Sequence, residues 1–399
     1  MSLKLSERSA NVKPSSTLAI TAKAKELKAA GRDVVGFGAG EPDFNTPANI
    51  CDAAIKAIND GFTKYTPAGG TIELKKAVSE KFRNFNHLDY SPEQIIISNG
   101  GKHALTNIFD ALLDPGDEVI IPAPYWLSYP EMVKLSDGKP VFVYSTAATG
   151  YKVSAAQIAE KVTDKTKALV LNTPNNPTGM VYSKKELEDI AKLAVEKDFY
   201  VVADEMYEAL IYTGEEHVSI ASLGEEIYKR TITCSGLSKS YAMTGWRVGY
   251  AGAPVEITKR MNAMQSHATS NVNSIAQKAA YEALTGPVDE MEKMRLEFDR
   301  RRQYMYSRVK EMKHVSCLEP EGAFYVFMDV SKACALSYKG KKIETAAVLA
   351  EILLNEFDTA VVPCADFGYP DHIRLSYAIS MEQIEKGLDR IEKCLNELA

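Results

Sequence analysis

The sequence predicts an α/β fold, in which a mostly parallel, helix-covered sheet of seven strands is followed by a smaller α+β domain. Three observations carry this expectation. Seven short apolar runs between residues 94 and 253 alternate with longer helical patterns. Beyond about residue 290 the order changes to a long charged helix and then to mixed strands and helices. The chain also has 399 residues, more than a single hydrophobic core usually organises, so two domains are expected.

The runs are QIIIS (94–98), DEVIIP (117–122), PVFVY (140–144), KALVLN (167–172), FYVVAD (199–204), TITCS (231–235) and RVGYAGA (247–253). Strands buried on both faces and joined by helices have this nearly continuous apolar character. Helices are predicted at about 46–60, 71–85, 101–113, 154–161 and 183–197, the last opening with Ser183 and Glu186 in capping-box spacing. Past residue 290, Met291, Met294, Phe298, Met305, Val309 and Met312 recur at roughly helical spacing. The dense cluster Arg300, Arg301 and Arg302 reads as the solvated face of that helix rather than as a phosphate patch. GAFYVFMDV (322–330), a helix near 344–357, AVVPCADFG (360–368), HIRLSYA (372–378) and a final helix complete an α+β order.

Composition narrows the function. The chain is 45% hydrophobic and 25% charged with a net charge of -6, a balance that offers no general attraction to nucleic acid or anionic membranes. Six cysteines, at 51, 234, 317, 334, 364 and 394, form no CxxC pair and read as reduced cytosolic thiols. The first residues lack an apolar signal-peptide region and no apolar run approaches membrane length, so a cytoplasmic protein is expected. The six histidines show no HxxxH or HExxH spacing, and no metal site is expected.

In open parallel sheets, ligands bind outside the carboxyl ends of the strands. SNGGKHALTNIF (98–109) runs from a strand through Gly100 and Gly101 into a helix, an arrangement that can cradle a phosphate on free backbone N–H groups or serve only as a turn. No GxxxxGK[ST] loop occurs, and GFGAGEP (36–42) fails the GxGxxG spacing because Glu41 stands where a glycine is needed. Asp204 closes an apolar strand, where a carboxylate is either a structural ion pair or cap, or the partner of a protonated ring nitrogen. NTPNNPTG (172–179) is dense in turn formers and also delivers Asn176; Trp126 can fill core space or stack on a flat ring. In SGLSKSYAMTGWRVGY (235–250), Lys239 is either a solvated surface lysine or, where desolvation and nearby cations lower its pKa, an imine-forming nucleophile, and Arg247 suits a phosphate. Together these groups describe a site for a phosphorylated pyridine aldehyde, pyridoxal 5′-phosphate.

With GAGEPDF (38–44), YTPAGG (65–70), NPTG (176–179), SKSYAMTGWRVGY (238–250) and IRLSYA (373–378) in this order, the chain resembles the class I aminotransferases of fold type I. Within them it is most similar to the bacterial aspartate aminotransferase subgroup, from about Lys13 onward. The resemblance implies a small domain built from both termini (1–45 and 290–399) around a large cofactor domain (46–289). It also implies that Lys239 forms the internal aldimine and then moves the proton, that Asp204 pairs with the pyridinium nitrogen, and that Tyr207 and Asn176 donate to the phenolic oxygen. By the same resemblance Trp126 stacks on the ring, and Gly100, Gly101, Lys102, Ser238 and Arg247 form the phosphate cup. Tyr65 is implied to reach the site of a neighbouring subunit in a homodimer. Arg374 would fork onto the substrate α-carboxylate, aided by Asn176 and the Gly40 backbone, while Ser15, Thr17 and Lys102 would read a distal carboxylate.

Two departures from the animal-type enzymes stand out. Gly236 occupies the place of a phosphate-binding serine, leaving that contact missing or to Ser235 or Ser238. SHATSNVNS (266–274) offers no counterpart of their intersubunit arginine. The implied reaction is ping-pong transamination, with aspartate and 2-oxoglutarate as the leading pair. The competing readings are an aromatic, alanine or prephenate aminotransferase, a carbon–sulfur lyase on the same cofactor, and a binding module without turnover.

Overall fold

The structure, a computed structural model, describes residues 6, 10–12, 14 and 16–399. In chain order the strands among the described residues are β1 (Val35–Gly36), β2 (Ile95–Ser98), β3 (Glu118–Ala123), β4 (Lys139–Tyr144), β5 (Thr166–Asn172), β6 (Tyr200–Asp204), β7 (Thr231–Gly236), β8 (Gly249–Gly252), β9 (Ser316–Cys317), β10 (Tyr325–Asp329), β11 (Ser337–Tyr338), β12 (Lys341–Lys342), β13 (Thr359–Ala360), β14 (Val362–Pro363) and β15 (His372–Ser376). The seven strands expected from the sequence form one sheet in the order β2-β8-β7-β6-β5-β3-β4. Strand β8 runs antiparallel to both neighbours, and the other pairs are parallel.

Both faces of this sheet are covered, which explains the unbroken apolar runs. Ile96, Val119, Ile121, Val170, Val202 and Ile232 pack on one side with the helix Gly101–Leu112. Their neighbours Ile120, Leu169, Leu171, Val201 and Ala203 pack on the other with the helix Lys184–Lys197. Each fully buried side chain of this kind contributes about 1.5–3 kcal/mol by leaving water. The strands therefore fix where the loops at their ends converge. The Ser183–Glu186 capping box forms as expected. The RVGYAGA strand is shorter than predicted because Arg247 has φ +57°, a left-handed conformation that no strand continues.

A second core gathers Val35 and Phe37 with residues from 294 to 398. Here β14, β15, β10 and β9 form an antiparallel sheet, β1 pairs parallel with β13, and the helices Asp289–Glu311, Ala346–Phe357 and Met381–Asn396 pack nearby. One expectation is corrected in this region. Arg300 is exposed, but Arg301 and Arg302 are buried and not part of a solvated face. Arg301 bonds Asp43 at 2.7 Å and Glu297 at 2.8 Å, and its guanidinium lies 5.0 Å from the Phe44 ring centre. Arg302 bonds Asp299 and Glu319, each at 2.8 Å. These pairs tie the EPDF turn and residue 319 to the long helix, and each guanidinium is buried with the carboxylates it needs. Among the described residues no helix is long and apolar enough to cross a membrane.

Candidate active site

Because β2, β3, β5, β6 and β7 share a direction, their carboxyl ends meet at one edge of the sheet. A cavity of about 410 Å³ opens there, roofed by Thr17, Thr21 and residues 38–41. At one end lies the junction of β2 with the helix Gly101–Leu112. Gly100 has φ +84°, and a side chain there would run into the Arg247 guanidinium at 2.4 Å. The positive φ favours glycine, and any side chain would have to displace the Arg247 guanidinium. Arg247 is braced by donating to the Thr244 carbonyl at 2.9 Å, and its left-handed backbone is strain held at a cationic site. On the neighbouring strand, a Cβ at Gly249 would lie 2.3 Å from the Gly101 nitrogen. Gly249→Ala is thus expected to lower stability by about 1–3 kcal/mol and to displace the glycine loop. Thermal denaturation and retention of an added phosphorylated ligand check both effects.

Space for a side chain at Gly236 is tight. A Cβ there would meet the Gly249 Cα and the Val248 carbonyl at 3.1 Å and the Met206 Cε at 3.2 Å, so a serine would crowd the strand. Ser235 is not a substitute, since its hydroxyl donates to Glu208 Oε1 at 2.5 Å in a buried cluster away from the cavity. Ser238 does line the cavity.

At the centre, the Lys239 ammonium donates to the Gly40 carbonyl. Burial pulls its pKa down to about 8; Glu41 opposes this, while Arg374 and Arg247 add to it. Asp204 is buried at the end of β6, with Oδ2 accepting from the Tyr129 hydroxyl at 2.6 Å and Oδ1 from the Met206 amide at 3.2 Å. Burial raises its pKa to about 6, and the Tyr129 hydrogen bond is the largest opposing influence. Tyr207 is buried with its hydroxyl 2.9 Å from that of Tyr325, and its pKa lies well above the usual value because of burial.

Arg374 is 2% exposed on β15. It donates to Asn176 Oδ1 at 3.0 Å and to the Gly38 carbonyl at 3.2 Å, and its guanidinium lies 4.4 Å from the Tyr325 ring centre. Its Nε is buried without a partner, as is the Thr17 hydroxyl oxygen in the roof. Lys102 lies 5.0 Å from the Trp126 ring centre, with its pKa lowered by burial and by Arg247.

The cavity lining thus brings together Thr17, Gly40, Gly101, Lys102, Trp126, Asn176, Asp204, Tyr207, Ser238, Lys239, Arg247 and Arg374, with Gly100 beside Arg247. Tyr65 is apart from them, 91% exposed on the surface. Ser15 lies outside the described residues. Sequence reasoning missed Tyr129, Tyr325 and Met206. The available signals were the three-residue spacing from Trp126 to Tyr129 and the place of Tyr325 on an apolar strand.

The family pattern described as aminotransferase class I and II matches residues 32–391. The chain belongs to this family. This aminotransferase is 49% identical over 391 residues to the aspartate aminotransferase of Bacillus sp. (strain YM-2), covering 98% of each chain. It is 47% identical over 390 residues to an aspartate/prephenate aminotransferase of Cereibacter sphaeroides (strain ATCC 17029 / ATH 2.4.9), covering 97% of this chain and 98% of that one. Among solved structures, the aspartate aminotransferase from Thermus thermophilus with maleate superposes with a TM-score of 0.93 at 44% identity, covering 99% of this aminotransferase and 100% of that chain.

Proposed function

We propose that this aminotransferase uses pyridoxal 5′-phosphate to move an amino group between aspartate and 2-oxoglutarate. The carrying observation is that Arg374, Thr17 and Lys102 line one cavity, with Arg374 Nε and the Thr17 hydroxyl oxygen buried without a partner and Lys102 beside Trp126. Buried polar atoms normally find partners, so two without any point to a ligand with acceptors for both. A dicarboxylate fits: its α-carboxylate takes the Arg374 fork, and its distal carboxylate takes Thr17 and Lys102. The Thermus thermophilus aspartate aminotransferase with maleate, a dicarboxylate, supports this reading.

The residues present fit the cofactor. Gly100, Gly101, Lys102, Ser238 and Arg247 would hold its phosphate, Trp126 its ring face, Asp204 its ring nitrogen, and Tyr207 and Asn176 its phenolic oxygen. When bound, it supplies an aldehyde for amine exchange and a protonated ring that takes up electron density. Lys239 provides the amine of the covalent link and, once displaced by substrate, moves a proton off the substrate α-carbon. The Gly40 carbonyl orients the Lys239 nitrogen, and Arg374 with Asn176 holds the α-carboxylate. The roof at 38–41 and Thr17 excludes water, which strengthens each of these charge contacts.

The same reading includes a homodimer, cytoplasmic location and a large domain over 46–289 flanked by a small one from 1–45 and 290–399. Exposed Ile55, Ile58, Tyr65 and Ile72, on and between neighbouring helices, support the dimer, which would let Tyr65 serve the partner's cup. A second reading, prephenate as amino acceptor, is favoured by the relative named aspartate/prephenate aminotransferase.

A panel of amino donors with 2-oxoglutarate, read as glutamate formed, tests the proposal, with prephenate and an amino donor as a parallel arm. Lys102→Ala is expected to lower kcat/KM for aspartate by about tenfold to a hundredfold, as for a lost charge-assisted contact. Phenylalanine should lose far less, and equal losses would refute the acidic-substrate reading.

A further inference from the structure

Tyr129 lines the cavity beside Asp204 and has no part in the reaction just described. It stands in the first turn of the helix Ser128–Leu135 and is 2% exposed. Its hydroxyl donates to Asp204 Oδ2 at 2.6 Å, while the Met206 amide donates to Oδ1 at 3.2 Å. One donor on each oxygen sets the plane of the carboxylate at the cavity wall. The same ring meets Trp126 edge-on, with centres 5.4 Å apart and planes at 86°. Tyr129 therefore touches both groups assigned to the cofactor ring, one through its hydroxyl and one through its edge.

We infer that Tyr129 is a positioning residue for the ring-nitrogen end of the site: by donating to Asp204 it orients the carboxylate and keeps it ionised. This role rests on the pyridoxal phosphate reading above. The direction of the bond is fixed by chemistry, because burial and the Asp204 charge hold the phenol well above its usual pKa, so it can only donate to an ionised carboxylate. The alternative state is close at hand. Burial alone drives Asp204 toward the neutral acid, and a neutral acid cannot hold a proton on a ring nitrogen. The other charged or titratable groups near Asp204 are Glu205, Lys239, Tyr207 and Cys234. Glu205 works against ionisation and Lys239 favours it. Tyr129 is the side chain that hydrogen-bonds the carboxylate directly.

The test compares the parent holoprotein with Tyr129→Phe, which keeps the ring and its edge contact with Trp126 and removes only the hydroxyl. The visible absorption of bound pyridoxal phosphate is titrated against pH in the parent, in Tyr129→Phe, in Asp204→Ala and in the double variant. Loss of the ring's positive charge makes the nitrogen of the Lys239 link more basic, so the midpoint is expected to rise by about one pH unit in Tyr129→Phe. Cofactor dissociation, followed by dialysis, is expected to be about tenfold more favourable. On the Asp204→Ala background the Tyr129 substitution should add no further shift, because Tyr129 acts through the carboxylate. Placing 3-fluorotyrosine at 129 strengthens the donor without altering the packing, and it should move the midpoint down. This arm remains decisive if the phenylalanine variant folds poorly. A Tyr129→Phe midpoint equal to the parent's, or the same shift with and without Asp204, would overturn the role while leaving the cofactor reading intact. A parent protein that shows no visible band with pyridoxal phosphate would overturn the cofactor reading and this role together.

Discussion

Replacing Lys239 with alanine is expected to lower kcat by about 10⁴-fold or more, because in the proposed function this one side chain would supply both the amine for the covalent link and the base. The structure explains why this lysine suits both tasks. It is half-buried in the cavity lining, where desolvation and the Arg374 and Arg247 charges draw its pKa down to about 8. About half of it is then neutral at pH 8, whereas a lysine at the usual value of 10.5 would be neutral in roughly 0.3% of molecules. The sign of the pH dependence follows. Only the neutral amine attacks an aldehyde, so capture of pyridoxal phosphate by the apoprotein should accelerate as pH rises through about 8 and level off above it. Borohydride reduction followed by intact mass measurement checks the link. The parent protein should gain one reduced cofactor and Lys239→Ala none. An adduct of equal yield in the variant would place the covalent link on another residue.

The half of the candidate site around Asp204, Gly100 and Gly101 was legible because it sits at the ends of strands that announce themselves. A run such as FYVVAD is apolar throughout because β6 is buried on both faces, so Asp204 at its end stands out as a costly exception. Gly100 and Gly101 were legible for a similar reason, since a strand, two glycines and a helix leave few uses for the backbone. Tyr129 was not, because its hydroxyl's target lies 75 residues away and nothing local points to it. Arg301 and Arg302 were misread for a different reason. Spacing from Phe298 and Met305 places both on the same helical face as the buried stripe, but charge outweighed position in the reading. Position was the better guide, because Asp43, Asp299 and Glu319 were available to pair them. Thr17 and Lys102 needed the fold as well, since nothing local shows that a residue near the amino terminus roofs a cavity floored by the sheet.

Arg374→Lys is expected to lower kcat/KM by about 10²-fold to 10³-fold for every amino acid donor, mostly through KM, even though the charge is retained. The guanidinium serves several acceptors at once. One nitrogen holds Asn176 Oδ1, another holds the Gly38 carbonyl, and Nε is left for the ligand. A lysine carries a point charge on a flexible stem and cannot keep the two protein contacts while gripping a carboxylate from the side. Its ammonium would also replace the flat guanidinium now 4.4 Å from the Tyr325 ring centre. Because Asn176 is assigned to the cofactor as well, the variant should disturb both ligands, whereas Lys102→Ala leaves the α-carboxylate contacts in place and acts at the distal carboxylate and the phosphate end. The two substitutions therefore separate the ends of the substrate. If both readings hold, Arg374→Lys reduces aspartate and phenylalanine turnover in parallel and Lys102→Ala divides them. Near-parent kcat/KM in Arg374→Lys, with an unchanged melting temperature showing that the fold is intact, would remove Arg374 from the α-carboxylate and leave its orphaned Nε without a ligand to explain it.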